Sequence, residues 1–211
     1  MDQIWSSRPY GLLWRLKKEL EGVANPAWTV ANFGMSGATA SMSFSRMKQI
    51  FLATPIEHRP TAILHEIYTP NGIFDGGGNF VQARVTGPNS AWAIAQEAEA
   101  FYSAYNVKFI PWMICMSIYN MDVTKGAWVR DNVFYPAQAL WGSRFLHSVD
   151  IVQDPAVNLE TQGIYGLASL FPDAVHLSSS AQDLVYSGNN TPANSFKTRL
   201  FACCAAAGIS P

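Results

Sequence analysis

Short apolar runs alternate with amphipathic helical segments along most of this 211-residue chain, and that alternation limits the folds open to it. The hydrophobic periods predict helices over residues 9–20, 41–52, 89–105 and 135–145, and strands over residues 28–33, 61–68, 107–116 and 148–153. Strands that alternate with helices of this length form parallel sheets through right-handed crossovers. We therefore predict one domain over residues 1–211, a doubly wound three-layer α/β/α fold.

Composition narrows the classes of partner. Charged residues make up 14% of the sequence and the net charge is -1, so no basic excess is present to bind nucleic acid. No apolar run approaches the length of a membrane span, and MDQIWSSRPY lacks the features of a signal peptide. We expect a soluble chain without a nucleic-acid or membrane partner, and its cellular location stays open.

Two long irregular stretches follow predicted strands. Residues 71–88 contain the turn DGGGN, and residues 154–169 precede the segment FPDAVHLSSSAQ. Loops of this length in a compact domain are commonly binding loops or lids. In an open parallel sheet, ligands bind at the carboxyl ends of the strands, so we expect the functional site there.

Three short motifs resemble conserved blocks of the SGNH hydrolases, also called GDSL-type esterases. They are NFGMSGATA at residues 32–40, TPNG at residues 69–72 and PDAVHL at residues 172–177, in the order found in that family. The resemblance implies the flavodoxin-like SGNH fold and an ester hydrolase without cofactor or metal. It assigns Gly37 and Asn71 to the oxyanion hole, and Asp173 and His176 to the catalytic carboxylate and base.

The chemistry behind these blocks can be stated without the family. Acyl transfer to a hydroxyl needs a base, a carboxylate that orients the base, and hydrogen-bond donors aimed at the oxyanion. A D-x-x-H segment supplies the carboxylate and the base from one turn, which Pro172 stiffens. The competing interpretation of Asp173 and His176 is an ordinary loop that leads into a helix.

The first block departs from the family pattern. Where the family has Gly-Asp-Ser at the end of its first strand, this chain has MDQI, so Gln3 stands at the position of the nucleophilic serine. No strand precedes Asp2, and we expect either a sequence that begins inside the domain or a member that has lost its nucleophile. Ser6 and Ser7 are alternative nucleophiles, although their displacement by several residues disfavours them.

Several other residues have alternative interpretations. Asn79 is a second candidate for the oxyanion donor at Asn71. His65 and Glu66 should point to opposite faces of a strand, which disfavours a shared metal site. The sequence predicts surface or helix-end positions for His58 and His147, and packing roles for Cys203 and Cys204. Aromatic residues that could line an acyl or sugar pocket are Tyr68, Phe74, Phe80 and Trp112.

Three functional hypotheses follow. The first is a serine-type hydrolase of carboxylic esters that acts on acyl or acetyl groups of a small molecule or carbohydrate. The second is a catalytically inactive SGNH-like domain that binds a glycan or acyl ligand. The third is an unrelated doubly wound domain without a catalytic triad.

Overall fold

A three-stranded parallel sheet lies at the centre of the part of the chain that the structure describes. The computed structural model describes residues 12–21, 39–67, 79, 81–113, 122–172 and 177–209. The strands are β1 (Ala62–Glu66), β2 (Lys108–Met113) and β3 (Leu146–His147), and they pair in the order β1-β2-β3. In this register Glu66 is opposite Trp112, and Trp112 is opposite Leu146.

Helices surround this sheet. In chain order they are α1 (Leu12–Glu21), α2 (Ala40–Ala53), α3 (Gln82–Thr86), α4 (Ala91–Ser103), α5 (Val123–Val129), α6 (Tyr135–Trp141), α7 (Val149–Val152), α8 (Leu159–Gln162), α9 (Ser179–Ser187) and α10 (Phe196–Ala206). Polar side chains accept hydrogen bonds from the backbone at several helix starts, including Ser90 for α4, Asp122 for α5 and Ser178 for α9. Such caps fix where each helix begins.

The core is divided into two parts by the sheet. On one face, Ile63, Phe109 and Met113 pack against α2, α4 and the α5–α6 region. On the other face, Ile110 and Trp112 pack against α1, α9 and α10. Adjacent residues of β2 thus contribute to opposite cores, as the alternation of a strand buried on both faces requires. Helices on both faces of a parallel sheet confirm an α/β arrangement for the described residues.

The predicted helices at residues 9–20, 41–52 and 89–105 are confirmed as α1, α2 and α4, and the strands at residues 61–68 and 107–116 as β1 and β2. The predicted strand at residues 148–153 is wrong, because that segment forms α7 and the strand lies just before it, at β3. The predicted strand at residues 28–33 lies outside the described residues.

The helix predicted at residues 135–145 begins much earlier, at Val123. A five-residue π-helix, Arg130–Phe134, joins α5 to α6, and the backbone N–H of Tyr135 donates to the carbonyl oxygen of Arg130. Pro136 explains the irregularity, since it has no N–H to donate to the preceding turn and would clash within a regular helix. The sequence therefore predicts a helix that begins near Pro136, whereas the structure has helical residues from Val123 onward.

Candidate functional site

The residues that the sequence predicts for catalysis lie outside the described residues. They are Gln3, Ser6, Ser7, Gly37, Asn71, Asp173 and His176. The structure describes elements next to these segments: α1 after residues 1–11, α2 after Gly37, β1 before Asn71, and the residues on both sides of 173–176. The candidate site comprises those neighbouring elements and the carboxyl ends of the three strands.

Helices α1 and α9 run side by side in the same direction. Arg15 forms an ion pair with Asp183, and four residues further along α1 Glu19 accepts a hydrogen bond from the hydroxyl of Tyr186. Arg15 also lies over the Tyr186 ring, 5.9 Å from its centre. Because both contacts advance in the same direction, the first residues of α1 and of α9 lie at the same end of the pair.

The chain before the D-x-x-H segment is hydrogen-bonded to the region after β3, and the chain after the segment is hydrogen-bonded to the chain before it. The N–H of Ser178 donates to the carbonyl oxygen of Leu170 at 2.9 Å, so the described residues before and after 173–176 are in direct contact. The N–H of Leu167 donates at 2.8 Å to the carbonyl oxygen of Val152, the last residue of α7. Since α7 directly follows β3, the described flanks of Asp173 and His176 are connected to the carboxyl end of the sheet.

Glu66 and His65, at the carboxyl end of β1, have opposite environments. His65 is buried between the rings of Phe44 and Phe109, whose centres are 6.4 and 5.5 Å away, and burial lowers its pKa to about 4. Glu66 is exposed, yet the protein around it desolvates the carboxylate and raises its pKa to about 7. The two side chains point to opposite faces, as the sequence predicts, so they do not form a shared metal site.

Trp112, beside Glu66 on the next strand, belongs to the core. Its side chain is buried and packs against Phe196, with ring centres 5.7 Å apart. Its indole Nε1 is also buried and has no hydrogen-bond partner in the described part of the chain. An unsatisfied buried N–H is uncommon in native proteins. Of the two roles that the sequence left open for Trp112, pocket lining and core packing, the structure shows core packing.

A second histidine and aspartate three residues apart, His147 and Asp150, form a structural cluster. Arg199 donates to both oxygens of Asp150 and, at 2.9 Å, to the carbonyl oxygen of His147. The His147 Nδ1 lies 3.7 Å from Asp150, too far for a hydrogen bond. Burial and the Arg199 cation lower the pKa of His147, although Asp150 opposes them. His147 was predicted at the surface or at a helix end, and the structure shows it half-buried at the end of β3.

The stretch at residues 154–169 is organised by the side chain of Gln153. Its Nε2 donates to the carbonyl oxygens of Val157 and Gly163 at 2.9 and 3.0 Å, and its Oε1 accepts from the N–H of Tyr165 at 3.0 Å. Arg130 adds a bond of 3.0 Å to the carbonyl oxygen of Leu159. With this network the stretch is an ordered loop that packs on α5.

The remaining site predictions have plain outcomes. His58 is exposed, and Cys203 and Cys204 are buried in α10, as expected, with burial raising the pKa of each thiol to about 11. Asn79 is described and exposed. A cavity of about 300 Å³ lies beside Lys108 and Arg144, at the amino end of β2 and thus away from the edge where ligands bind such sheets.

The sequence singles out Glu66 only as half of a disfavoured metal pair with His65, and it gives no sign of the raised pKa of this carboxyl group.

Among the described residues, no group of His, Cys, Asp and Glu side chains is arranged to hold a metal ion. No helix in the described part is long and apolar enough to span a membrane. Comparisons with protein-family models, with curated proteins and with solved structures found no match to this chain.

Proposed function

We propose that this chain has the architecture of an SGNH-type ester hydrolase, with a site built from the segments before α1 and before α9. The observation that carries the proposal is the parallel packing of these two helices through Arg15–Asp183 and Glu19–Tyr186. This packing supports a shared location, at one end of the helix pair, for the segment that contains Gln3 and the segment that contains Asp173 and His176. A hydrolytic site requires that these two segments meet.

The distribution of helices over the two faces gives independent support. The connections from β1 to β2 and from β2 to β3 run through α4 and α6, both in the core of one face, whereas α1 packs on the other face. Right-handed crossovers on opposite faces advance in opposite directions across a sheet. With the predicted strand at residues 28–33, this pattern suits the flavodoxin-like order 2-1-3-4-5, whose reversal point binds ligands.

The mechanism follows from the roles of the proposed residues. His176 takes the proton from a hydroxyl nucleophile, and Asp173 holds the imidazole in the required tautomer. The backbone N–H of Gly37 and the side chain of Asn71 stabilise the oxyanion, after which water releases the acyl group. The substrate class is a carboxylic ester of a small molecule or carbohydrate, and no step uses a cofactor.

Gln3 favours a second candidate function. A primary amide cannot form the alkoxide that attacks the ester, so a chain with Gln3 at this position keeps the cleft without the nucleophile. The second candidate is therefore an inactive SGNH-like domain that binds a glycan or an acyl ligand.

Restoring the nucleophile tests the proposal. The chain as it stands should hydrolyse p-nitrophenyl acetate very weakly, and a version with an apolar strand ending in Gly-Asp-Ser in place of residues 1–3 should be orders of magnitude faster. Within that version, His176→Ala should lower kcat by about 10²- to 10⁴-fold. The matched controls are Gln49→Ser, an exposed glutamine of α2, and His58→Ala, an exposed histidine.

Neither control should change the rate. A restored chain with no gain in activity, or one that stays fully active without His176, would contradict the esterase. Binding of acetylated oligosaccharides to the unaltered chain, combined with no gain on restoration, would support the binding domain.

A further inference from the structure

A cavity of about 300 Å³ lies where β2 begins and where α4 and α10 both end. Its lining includes Val107 and Phe109, which are buried, and Ser103 and Asn106, which are exposed, so the cavity reaches from the core to the surface. Cavities of about 300 to 1,000 Å³ hold small-molecule ligands in proteins. This cavity is therefore large enough to bind a small molecule.

Two positively charged side chains line this cavity, Lys108 and Arg144. Phe109 packs in the core on one face of the sheet and Ile110 in the core on the other, so Lys108, two residues before Ile110, points to the face that α10 covers. The Lys108 side chain is half-buried and forms no ion pair or hydrogen bond with the described part of the chain. None of the described residues that line the cavity carries a carboxylate, so its lining is positively charged.

Arg144, in the short 3₁₀ turn before β3, is held in place by a hydrogen-bond network. Its Nη1 donates to Oε1 of Glu99 at 2.9 Å, and the indole Nε1 of Trp141 donates to Oε2 of Glu99 at 2.7 Å. A guanidinium group has five N–H donors, and Nη1 is the nitrogen of Arg144 that bonds to the described residues. Arg144 is therefore a fixed cation with donors to spare, and less side-chain entropy is lost when such a group binds a ligand.

The helix ends beside the cavity do not use these two cations. Lysine and arginine near the end of a helix often bond to its last carbonyl oxygens. Here the carbonyl oxygens of Tyr102 and Ser103, at the end of α4, and of Cys203 and Cys204, at the end of α10, accept N–H groups from the turns that follow. Within the described residues, neither cation donates to a carbonyl oxygen of α4 or α10, so both keep donors for a ligand.

We propose that this cavity binds a small phosphate monoester, with Lys108 and Arg144 bound to the phosphate oxygens. A phosphate dianion matches two positive side chains in charge, and its oxygens accept hydrogen bonds from several directions. Ser103 and Asn106 supply further polar groups at the exposed side, and the rest of the volume holds the organic part. The cavity lies at the amino end of β2, at the edge of the sheet opposite the proposed hydrolytic site, and does not rest on that function.

NMR titration of the unaltered full chain tests the site, with glycerol 2-phosphate, inorganic phosphate and glycerol as probes. At about pH 8 both phosphates are mainly dianions. Glycerol 2-phosphate should bind saturably and more tightly than inorganic phosphate, because it also fills the volume beside the phosphate group, and glycerol should not bind. The largest chemical-shift changes should be those of the amides of residues 103–108.

Lys108→Met should weaken the binding of glycerol 2-phosphate by about 10- to 100-fold, as expected for the loss of a hydrogen bond to a charged group. The matched control is Lys48→Met, which removes a half-buried lysine beside Phe44, in the core on the other face of the sheet. This control should leave the affinity nearly unchanged.

A second pair of variants leaves both cations in place. Ala206→Glu puts a carboxylate at an exposed position that lines the cavity, and it should abolish binding by repelling the phosphate. Ala202→Glu adds the same charge at an exposed position one turn earlier on α10, outside the lining, and should have a much smaller effect.

No saturable binding of either phosphate, equal binding of glycerol, or an equal loss in Lys108→Met and Lys48→Met would overturn the proposal. Binding of inorganic phosphate at least as tight as that of glycerol 2-phosphate would contradict the monoester and identify free phosphate as the ligand. The proposed catalytic residues do not line this cavity, so the esterase assay on the restored chain fails or succeeds independently of this result.

Discussion

Two adjacent residues of β1, His65 and Glu66, have different environments because successive side chains of a strand point to opposite faces of the sheet. His65 enters an aromatic core between Phe44 and Phe109, where its ring acts as an apolar group. Glu66 points to the opposite side and stays in contact with solvent. Their pKa values move in opposite directions, because burial disfavours the charged form of His65 and desolvation by nearby protein disfavours the charged form of Glu66.

Burial of neutral His65 predicts a loss of stability in mild acid. The unfolded chain takes up a proton near its ordinary pKa of 6.5, whereas the folded chain resists protonation down to about 4. Stability contributed by His65 is therefore complete above pH 6.5 and falls as the pH decreases toward 4. The loss should be on the order of 3 kcal/mol by pH 4. Urea denaturation of a Glu66→Gln variant at several pH values would measure it, because Glu66, with its raised pKa, changes stability in the opposite direction over the same pH range.

His65→Leu should remove most of that dependence between pH 6.5 and pH 4, since leucine does not titrate. His58→Leu is the control, because His58 is exposed and should leave the profile unchanged. Parallel pH profiles for the native chain and His65→Leu would show that the histidine is not responsible.

At the scale of elements, the stretch at residues 154–169 lies against the continuous helix formed by α5, the π-helix and α6, and main-chain atoms of the two are in contact. The N–H of Ile164 donates to the carbonyl oxygen of Gly126 at 3.2 Å, so the two main chains lie in direct contact. A Cβ at Gly126 would overlap the carbonyl oxygen of Ile164. Glycine in the middle of this helix is thus required by the close approach of the loop.

Gly126→Ala should destabilise the protein, although alanine is normally better than glycine inside a helix. The clash should cost about 1–3 kcal/mol and outweigh a propensity gain of about 1 kcal/mol. The free energy of unfolding in urea measures the difference. Ala139→Gly, at an exposed position of α6, should cost only the propensity difference. A more stable Gly126→Ala variant would mean that the loop does not lie against α5.

Elements with a continuous hydrophobic period were predictable from sequence, and those set by proline or by tertiary contacts were not. The apolar period of α1 and the run of β2 identified both elements. The strand prediction at residues 148–153 was wrong because Val149 and Val152 have high strand propensity, whereas the segment is a helix that buries Val149 in one core and Val152 in the other. Tertiary contacts overrode local propensity there.

Motif spacing names the proposed catalytic residues, which lie outside the described residues and stay a prediction. The parallel packing of α1 and α9 concerns only the helices that follow two of these segments. Exposure at the end of β1 depends on which helices cover the sheet, and sequence periodicity does not contain that information. The same limit applies to Arg199, whose bonds to Asp150 join residues 49 apart in the chain.

The whole molecule is organised around β2, which pairs with β1 and β3 and is buried on both faces. Both described cores include its side chains, Phe109 and Met113 in one, and Ile110 and Trp112 in the other. Opening this strand would expose both cores, so it should open with nearly the full free energy of unfolding.

Hydrogen exchange measured by mass spectrometry should therefore show the slowest exchange in peptides that cover β2. Peptides from α8, a four-residue helix without buried side chains, should exchange much faster. If the β2 peptides exchange as fast as those of α8, the two described cores do not unfold cooperatively.

The contact between Lys197 and Glu19 joins residues 178 apart in the sequence. During synthesis, the apolar face of α1 emerges from the ribosome well before α9 and α10, which cover it. The core on the opposite face can assemble sooner, because its helices are consecutive in the chain. In a nascent chain the apolar side chains of Leu12, Leu16 and Leu20 therefore stay uncovered until α9 and α10 have been made.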